Sequence, residues 1–170
     1  GAEVEFVDNW APEVETIQKQ GGVYVSRDHE NRHLVPVKIF NPEEYQGNPD
    51  VWIVLANQMT LQDLLDRTAH AFDPKTQHVF TGMNGMGHLE KINQYFPKDR
   101  VAAGTCLIAT VLNKAGDVDF IGKVGAGSIN LAAQNNQDAE WLDQMVEDFT
   151  VANITLHLNH NCEGTLFTKD

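Results

Sequence analysis

Cysteine, basic residues and long apolar segments are all scarce in this chain of 170 residues. Its two cysteines, Cys106 and Cys162, are too few for a disulfide framework, and a reducing, cytoplasmic environment suits this composition best. Cys106 lies in an apolar, strand-like run, which indicates a buried small side chain. Cys162 is interpreted as an inert packing residue, with a reactive thiol as the alternative.

No apolar run approaches the roughly 20 residues that a membrane-spanning helix requires, and no basic segment followed by an apolar one opens the chain. We therefore expect no membrane partner. Acidic residues outnumber basic ones by 24 to 12, which gives a formal net charge of -12 at pH 7. Proteins that bind nucleic-acid phosphates use Lys and Arg to displace counterions, so we expect no nucleic-acid partner either.

Several catalytic and metal-binding motifs are also missing. The chain has no G-x-S-x-G elbow, no P-loop and no H-E-x-x-H pair. Of its seven histidines, His157 and His160 are close in sequence, but no cysteine or carboxylate stands at the spacing of a zinc site. His157 also belongs to an alternating, strand-like segment. We therefore expect no bound metal.

What the chain does contain is a regular alternation of strand and helix patterns. Residues 50–55 form a continuous apolar run, typical of a parallel strand buried on both faces. A helical pattern follows, then a second apolar strand at residues 79–81, then a short helix that Pro97 stops. This alternation indicates right-handed βαβ units and a mostly parallel sheet. With 42% hydrophobic residues, the chain is expected to form one domain over residues 1–170.

Shorter elements are predicted on both sides of this central part. Pro36 suits the edge of a sheet, which places a two-stranded ribbon there. Antiparallel strands are predicted to extend the sheet after residue 100. The predicted elements are a strand at 4–7, a helix between Pro12 and Gly21, ribbon strands at 23–25 and 34–37, sheet strands at 101–112, 120–122 and 128–131, a helix at 141–149, a strand at 154–158 and a terminal helix.

The most informative short motif is Asn84-Gly85-Met86-Gly87, which follows the strand at residues 79–81 and precedes a helix. Glycine permits positive φ and a close approach of a ligand to the backbone. Asn84 stands at the carboxyl end of a predicted strand, where open α/β sheets bind their ligands. An N-G-x-G motif by itself is equally compatible with a tight turn that binds nothing, so both interpretations stay open.

Asp8 and Lys169 are two further candidates. Asp8 ends the first predicted strand, where an acidic residue of a dinucleotide-binding fold accepts hydrogen bonds from the ribose and repels a 2'-phosphate. This chain has no Gly-rich turn upstream of Asp8, and a solvated strand end is the alternative. Lys169 follows the apolar pair Leu166-Phe167, which could desolvate its ammonium group and suit it to proton transfer. From the residues alone, a solvated terminal lysine is favoured.

Taken together, these pieces resemble one known family. The succession resembles ketopantoate reductases, including their D-2-hydroxyacid (D-mandelate type) dehydrogenase relatives, over essentially the whole chain. In order and with fitting spacing, the matching segments are Phe80-x-x-x-Asn84-Gly85-Met86-Gly87, Val101-Ala102-Ala103-Gly104-Thr105, Gly116-Asp117-Val118, Gly125-x-Gly127-Ser128-Ile129 and Leu166-Phe167-Thr168-Lys169.

The resemblance implies a Rossmann-like α/β protein that reduces a small-molecule 2-keto acid to the D-2-hydroxy acid with a nicotinamide cofactor. It implies that Lys169 is the general acid that protonates the carbonyl oxygen, and that Asn84 orients nicotinamide and substrate. It further implies a homodimer for the full-length protein. The cofactor-binding residues that it implies are Asp8, Asn9, Leu55, Ala56, Asn57, Asn84 and Gly85.

Two departures from the family pattern bear on specificity. Asn57 stands where ketopantoate reductases usually have the lysine of a V-K-A stretch. The loss of that positive charge makes branched or aromatic 2-keto acids serious alternatives to 2-dehydropantoate. Asp8-Asn9 replaces the arginine often found after this strand in NADP-dependent members, and an acidic residue disfavours a 2'-phosphate. The predicted cofactor is therefore NAD rather than NADP.

A third departure concerns length. The family's opening strand with its G-x-G-x-x-G turn, and its helical C-terminal domain, have no counterpart in these residues. We therefore expect an incomplete Rossmann-like sheet that is open at its centre, and negligible turnover from this chain alone. Two alternatives remain: a non-catalytic ligand-binding α/β domain completed by another chain segment, and a structural α/β module whose N-G-x-G motif is only a turn.

Overall fold

The structure, a computed structural model, describes residues 2–83, 87–125 and 127–167. These residues form strands and helices that alternate through the central part of the chain, as the sequence predicts. In chain order the elements are β1 (Glu5–Val7), α1 (Ala11–Gln20), β2 (Gly22–Arg27), β3 (Glu30–Pro36), β4 (Lys38–Phe40), β5 (Val51–Val54), α2 (Leu61–Thr68), β6 (His78–Thr81), α3 (Gly87–Ile92), β7 (Val101–Cys106), β8 (Thr110–Lys114), β9 (Asp117–Phe120), β10 (Ser128–Ala133), α4 (Glu140–Val151), β11 (Thr155–Asn159) and α5 (Cys162–Phe167).

The main sheet has five strands in the order β11-β10-β7-β6-β5. Strands β5, β6 and β7 run parallel, β10 is antiparallel to β7, and β11 is parallel to β10. This arrangement confirms the prediction of a mostly parallel sheet with an antiparallel extension. Side chains alternate between the two faces of each strand, so Val79 and Phe80 of β6 enter different apolar cores.

Helices cover both faces of this sheet. On one face, α2, α3 and α5 pack through residues that include Leu65, Leu89 and Leu166. On the other face, Leu142 and Met145 of α4 pack against β6, β7, β10 and β11. The helix that the sequence predicts at residues 141–149 is therefore a core element, as expected from its amphipathic pattern.

A second sheet of four strands, in the order β3-β2-β9-β8, lies apart from the main one. The predicted ribbon is present as β2 and β3, and β3 is an edge strand. However, β2 pairs with β9, so the ribbon does not join the main sheet. The prediction of a single strand at residues 101–112 is wrong, because β7 ends at Cys106 and β8 pairs with β9. Strand propensity is continuous there, yet pairing partners distant in sequence divide it between two sheets.

The edge of the main sheet at β5 departs from the sequence prediction. Residues 50–55 were expected to be buried on both faces, but Ile53 is 47% exposed. Within the described residues β5 pairs only with β6, and β1 pairs only with β4 in a separate two-stranded sheet. Phe6 of β1 is likewise 41% exposed. The Rossmann-like sheet is thus open at this point, as the comparison with the family pattern led us to expect.

A chain of aromatic rings joins the two-stranded sheet to the main sheet. Phe40 of β4 contacts Tyr45, and Tyr45 contacts Trp52 of β5, each pair with ring centroids 5.5 Å apart. Trp52 then contacts Phe72 at 5.2 Å. Edge-to-face ring pairs of this kind contribute about 0.5–1.5 kcal/mol each beyond the apolar area that they bury. Phe72 continues the chain to Tyr95 and Phe96, at the end of the segment that follows α3.

Replacement of Phe72 by alanine is expected to destabilise the domain by about 3 kcal/mol, because it removes a ring that contacts three others. Urea unfolding followed by tryptophan fluorescence measures this change. Phe6→Ala is the matched control, since Phe6 is 41% exposed, and should cost less than about 1 kcal/mol. Equal losses for the two variants would contradict a structural role of the ring chain.

Candidate functional site

A cleft lies where the parallel strands β5 and β6 end. Val54 is in register with Thr81, so the residues that follow the two strands lie side by side. They form an open cleft of about 310 Å³ lined by Leu55, Ala56, Gln58, Gly82 and Met83. Open α/β sheets bind their ligands at the carboxyl ends of their strands. The predicted residues Leu55 and Ala56 therefore lie at the expected kind of site.

Gly82 allows the two strand ends to approach closely. A Cβ atom added at this position would lie 3.2 Å from Leu55 Cδ2 and 3.4 Å from Cys106 Cβ. Both distances are at the tight end of van der Waals contact, so a larger residue would push Leu55 outwards. Beyond Gly82, the Met83 amide donates a hydrogen bond to Thr81 Oγ1 at 3.3 Å. The backbone at the end of β6 is therefore held in place up to residue 83.

The loop after β5 is shaped by Asn57. Its side-chain Oδ1 accepts a hydrogen bond from the Met59 amide at 2.8 Å, and its carbonyl oxygen accepts one from the Thr60 amide at 3.1 Å. These bonds form an Asx-type turn that leads into α2. The side chain predicted to bind cofactor thus has a structural task in the turn, and a role in ligand binding stays a prediction.

Asp8 and Asn9 lie at the end of β1 and reach the same region. Asp8 Oδ1 accepts a hydrogen bond from the Trp10 amide at 2.7 Å. Asn9 Nδ2 donates to Asp63 Oδ2 at 3.0 Å and to the Thr60 carbonyl oxygen at 3.4 Å. Thr60 follows the loop after β5 that lines the cleft. The contact between Asn9 and Thr60 therefore brings the end of β1, with Asp8 and Asn9, close to that loop.

An acidic network continues from Asp63. Hydrogen bonds from Asn9 and Arg67 hold the pKa of the Asp63 carboxyl below its ordinary value. Arg67 also pairs with Glu43 and lowers the pKa of that carboxyl. The guanidinium group of Arg67 is therefore engaged by two carboxylates beside the end of β1.

Three predicted site residues, Asn84, Gly85 and Lys169, lie outside the described residues. Their roles remain predictions. The described residues around them agree with the predicted elements, since α3 begins at Gly87 and the predicted terminal helix is present as α5.

The sequence analysis missed His88, the second residue of α3. His88 is fully buried, with 0% of its surface exposed, and its Nδ1 lies 3.3 Å from Gln58 Nε2. Burial lowers the pKa of its imidazole. Lys91 Nζ also donates to the Gln58 carbonyl oxygen at 3.0 Å. The one available signal was spacing, because His88 precedes Ile92 by four residues and so shares its buried helix face.

Other features of the described residues carry less chemistry. Cys162 is buried and burial raises the pKa of its thiol, which agrees with a packing residue. An open groove of about 590 Å³ between α4 and β11 is lined in part by Asp143, Glu147 and His157, at the opposite edge of the sheet from β5. Among the described residues, no three His, Cys, Asp or Glu side chains form a group that could hold a metal ion. None of their helices is long and apolar enough to cross a membrane.

Helices on both faces of a mostly parallel sheet, with a cleft at the carboxyl ends of its strands, define a Rossmann-like α/β domain. The chain belongs to the ketopantoate reductase family, because the family model for ketopantoate reductase PanE/ApbA matches residues 1–136. The family resemblance inferred from the sequence motifs is therefore confirmed.

Relatives of established name support this assignment. A 2-dehydropantoate 2-reductase of Streptococcus pyogenes is 28% identical over 167 residues, which are 98% of this chain and 52% of that protein. A 2-dehydropantoate 2-reductase of Lactococcus lactis is 21% identical over 169 residues, or 99% of this chain and 53% of that protein. The chain thus spans about half the length of the curated relatives that it matches.

Solved structures share the fold. D-mandelate dehydrogenase with NADH and anilino(oxo)acetate superposes with a TM-score of 0.87 at 21% identity, over 98% of this chain and 52% of that one. The 2-dehydropantoate 2-reductase of Porphyromonas gingivalis W83 superposes with a TM-score of 0.78 at 16% identity, over 94% of this chain and 54% of that one. The predicted Rossmann-like architecture is confirmed.

Two histidines with lowered pKa values, buried His88 and half-buried His78, predict how stability depends on pH. Burial lowers the pKa of His88, and burial together with Arg100 lowers the pKa of His78. A histidine whose folded-state pKa lies below its ordinary value of 6.5 stabilises the fold fully above that pH and loses this contribution as the pH falls through the folded-state pKa.

The free energy of unfolding should therefore decrease as the pH is lowered from about 7.5 to about 5.5. Urea unfolding at a series of pH values measures it. In His88→Leu the decrease should be smaller, because one of the two groups is removed. An unchanged slope in that variant would show that His88 does not contribute to the pH dependence.

Proposed function

We propose that the protein carrying this chain reduces a 2-keto acid to the D-2-hydroxy acid with a reduced nicotinamide cofactor. The observation that carries the proposal is membership of the ketopantoate reductase family over residues 1–136, combined with a ligand-sized cleft at the ends of β5 and β6. The proposal includes a homodimer of the full-length protein, which the family resemblance implies, and a cytoplasmic location, which the composition suggests.

The residues of the cleft fit one part of a dinucleotide. Leu55, Ala56 and Met83 offer apolar walls for a flat ring, and Gly82 keeps the floor open because a Cβ there would meet Leu55 and Cys106. Asp8 and Asn9 offer carboxylate and amide groups for a ribose diol at the end of β1. The bound cofactor would supply the hydride.

The chain's own residues would handle the substrate oxygen. In this proposal Lys169 donates a proton from Nζ to the keto oxygen as negative charge develops there, and its cationic head stabilises that charge before the transfer. Asn84 holds the reacting carbonyl and the nicotinamide in orientation through its amide group. Both roles rest on the family pattern.

The electrostatics at the end of β1 favour NAD over NADP. Asp8 lies there, and the adjacent Asn9 donates from Nδ2 to the Asp63 carboxylate at 3.0 Å. The neighbouring cation, Arg67, is already paired with Asp63 and Glu43. A 2'-phosphate would therefore meet negative charge, whereas a ribose hydroxyl would find acceptors.

The substrate is proposed to be a branched or aromatic 2-keto acid rather than 2-dehydropantoate. Asn57 occupies the position where the family usually has a lysine, and its side chain is engaged in the turn before α2. A positive charge that could recognise a further polar group of the substrate is thus absent at this position. D-mandelate dehydrogenase, a fold neighbour whose structure contains NADH, supports both the proposed NAD cofactor and the proposed substrate class.

The open edge of β5 favours a second candidate, a ligand-binding domain completed by another chain segment. Within the described residues β5 pairs only with β6 and β1 pairs only with β4, and Ile53 and Phe6 are partly exposed. Calorimetric titration of the 170-residue chain with NADH separates the candidates. Micromolar binding would show that the chain holds the cofactor without the family's Gly-rich turn or acquires that turn from another molecule.

Lys169→Ala in the full-length protein is expected to lower kcat with a branched or aromatic 2-keto acid by at least about 100-fold, because the general acid is lost. The rate of NADH oxidation in the steady state measures this. Lys98→Ala, at an exposed position, is the matched control and should retain kcat. A Lys169→Ala enzyme within a few-fold of the wild type would rule out the proposed general acid.

Asp8→Asn is expected to shift the ratio of kcat/KM for NADPH to that for NADH by about tenfold towards NADPH, because a like charge next to the 2'-phosphate is removed. The asparagine keeps an oxygen for the Trp10 amide, which bonds to Asp8 Oδ1 at 2.7 Å. The change therefore tests charge rather than loop structure. A wild-type preference for NADPH would refute the role given to Asp8.

A further inference from the structure

We propose that His88 is a positioning residue of the ligand cleft and that it acts by orienting the side-chain amide of Gln58. The inference rests on the proposed function for the identity of the ligand, a reduced nicotinamide cofactor. It assigns a task to a residue that does not itself line the cleft.

The two residues meet at the wall of the cavity. Gln58 lines the 310 Å³ cleft, and its Nε2 lies 3.3 Å from His88 Nδ1. An amide nitrogen can only donate, so His88 Nδ1 accepts and the neutral imidazole carries its proton on Nε2. Lys91, three residues later on α3, donates from Nζ to the Gln58 carbonyl oxygen at 3.0 Å. Side chain and backbone of Gln58 are thus both held by α3.

Packing alone does not account for a histidine at this position. His88 lies between Gly87 and Leu89 on a helix whose other inward residues, Leu89 and Ile92, are apolar. Its Nε2 is buried and has no hydrogen-bond partner in the described part of the chain. An unsatisfied buried donor destabilises the fold, and a leucine there would carry no such penalty. What the imidazole adds is the acceptor for Gln58.

The acceptor decides how the carboxamide of Gln58 is turned. With the proton on Nε2, His88 Nδ1 accepts from the amide nitrogen and the amide oxygen is directed elsewhere; the opposite orientation would require the proton to move to Nδ1, so that it could be donated to that oxygen. His88 therefore sets which polar group of Gln58 is presented at the cleft wall. A group held in one orientation before the ligand arrives reduces the entropy that binding must overcome.

The experiment is a double-mutant cycle in the full-length protein, with His88→Leu, Gln58→Leu and the double variant. His88→Leu should raise KM for NADH by about tenfold, with kcat within about threefold of the wild type. Gln58→Leu should have a similar effect, and the double variant should be no worse than either single one, because both changes remove the same interaction. His88→Asn places an oxygen near the Nδ1 position and should restore KM to within about threefold.

Stability gives the readout that separates positioning from packing. His88→Leu should melt at the wild-type temperature or above it, since the unsatisfied donor is removed. Ile92→Val, on the buried face of the same helix, is the matched control and should lower the melting temperature without changing KM. A His88→Leu protein with lower melting temperature and wild-type KM would overturn the proposal, as would additive effects in the cycle.

The inference and the proposed function fail in different ways. Loss of NADH affinity in His88→Leu, measured by calorimetry, together with absence of wild-type turnover on any 2-keto acid, would refute the reaction and retain the role of His88. Turnover by the wild type, together with a KM for NADH that His88→Leu leaves unchanged, would refute the role of His88 and retain the reaction. Absence of both NADH binding and turnover in the wild type would refute both.

Discussion

The unpaired edge of β5 is the constraint on which the rest of this structure depends. Within the described residues the backbone of β5 is hydrogen-bonded on one side only, to β6, and β1 and β4 form a separate two-stranded sheet. Side-chain contacts join the two sheets. Rings from Phe40 to Phe72 join the two sheets, and Trp52 Nε1 donates to Gln77 Oε1 at 2.7 Å at the centre of this contact.

The polar contact between Asn9 and Asp63 adds a second connection at the carboxyl end of β1, where Val7 is in register with Phe40. Through it, the carboxyl end of β1 is tied to the first turn of α2, and α2 follows the loop that lines the cleft. The acidic corner at Asp8 and the apolar walls at Leu55 and Ala56 therefore belong to one arrangement, although they come from different sheets. In a complete Rossmann-like sheet, ladder hydrogen bonds through a central strand would hold these parts in register.

Much of the fold could be predicted because local rules decide it. Gly21 ends α1 with φ of 80° and a hydrogen bond from its amide to the Ile17 carbonyl oxygen at 2.9 Å, as a glycine after a helix should. The apolar periods of α2 and α4 identified their buried faces. The exposed edge of β5 and the division of residues 101–112 between two sheets escaped prediction, because both depend on which strands become neighbours.

Part of the candidate site could be predicted from the sequence, because the ends of the strands could be predicted. Leu55 and Ala56 were expected at the cleft from the family resemblance, and Asp8 from its position at the end of a predicted strand. Asn57 shapes the turn before α2 through its side-chain oxygen. An asparagine suits this role, but its position in the sequence did not predict it. His88 was missed because a sequence does not show that a polar side chain is buried or which amide it meets. For Asn84, Gly85 and Lys169 the family motifs remain the only guide.

The amino-acid sequence by itself determined the family, the alternation of strands and helices in the central part of the chain, and the acidic residue at the end of β1. These follow from motifs, apolar periods and capping residues, which act over a few positions along the chain. Only the tertiary structure decided that the strands of the described residues form three sheets, that Asn9 bridges β1 to α2, and that His88 contacts Gln58. Those contacts join residues 30 to 54 positions apart, and the physical reason is that burial and pairing are properties of neighbours in space.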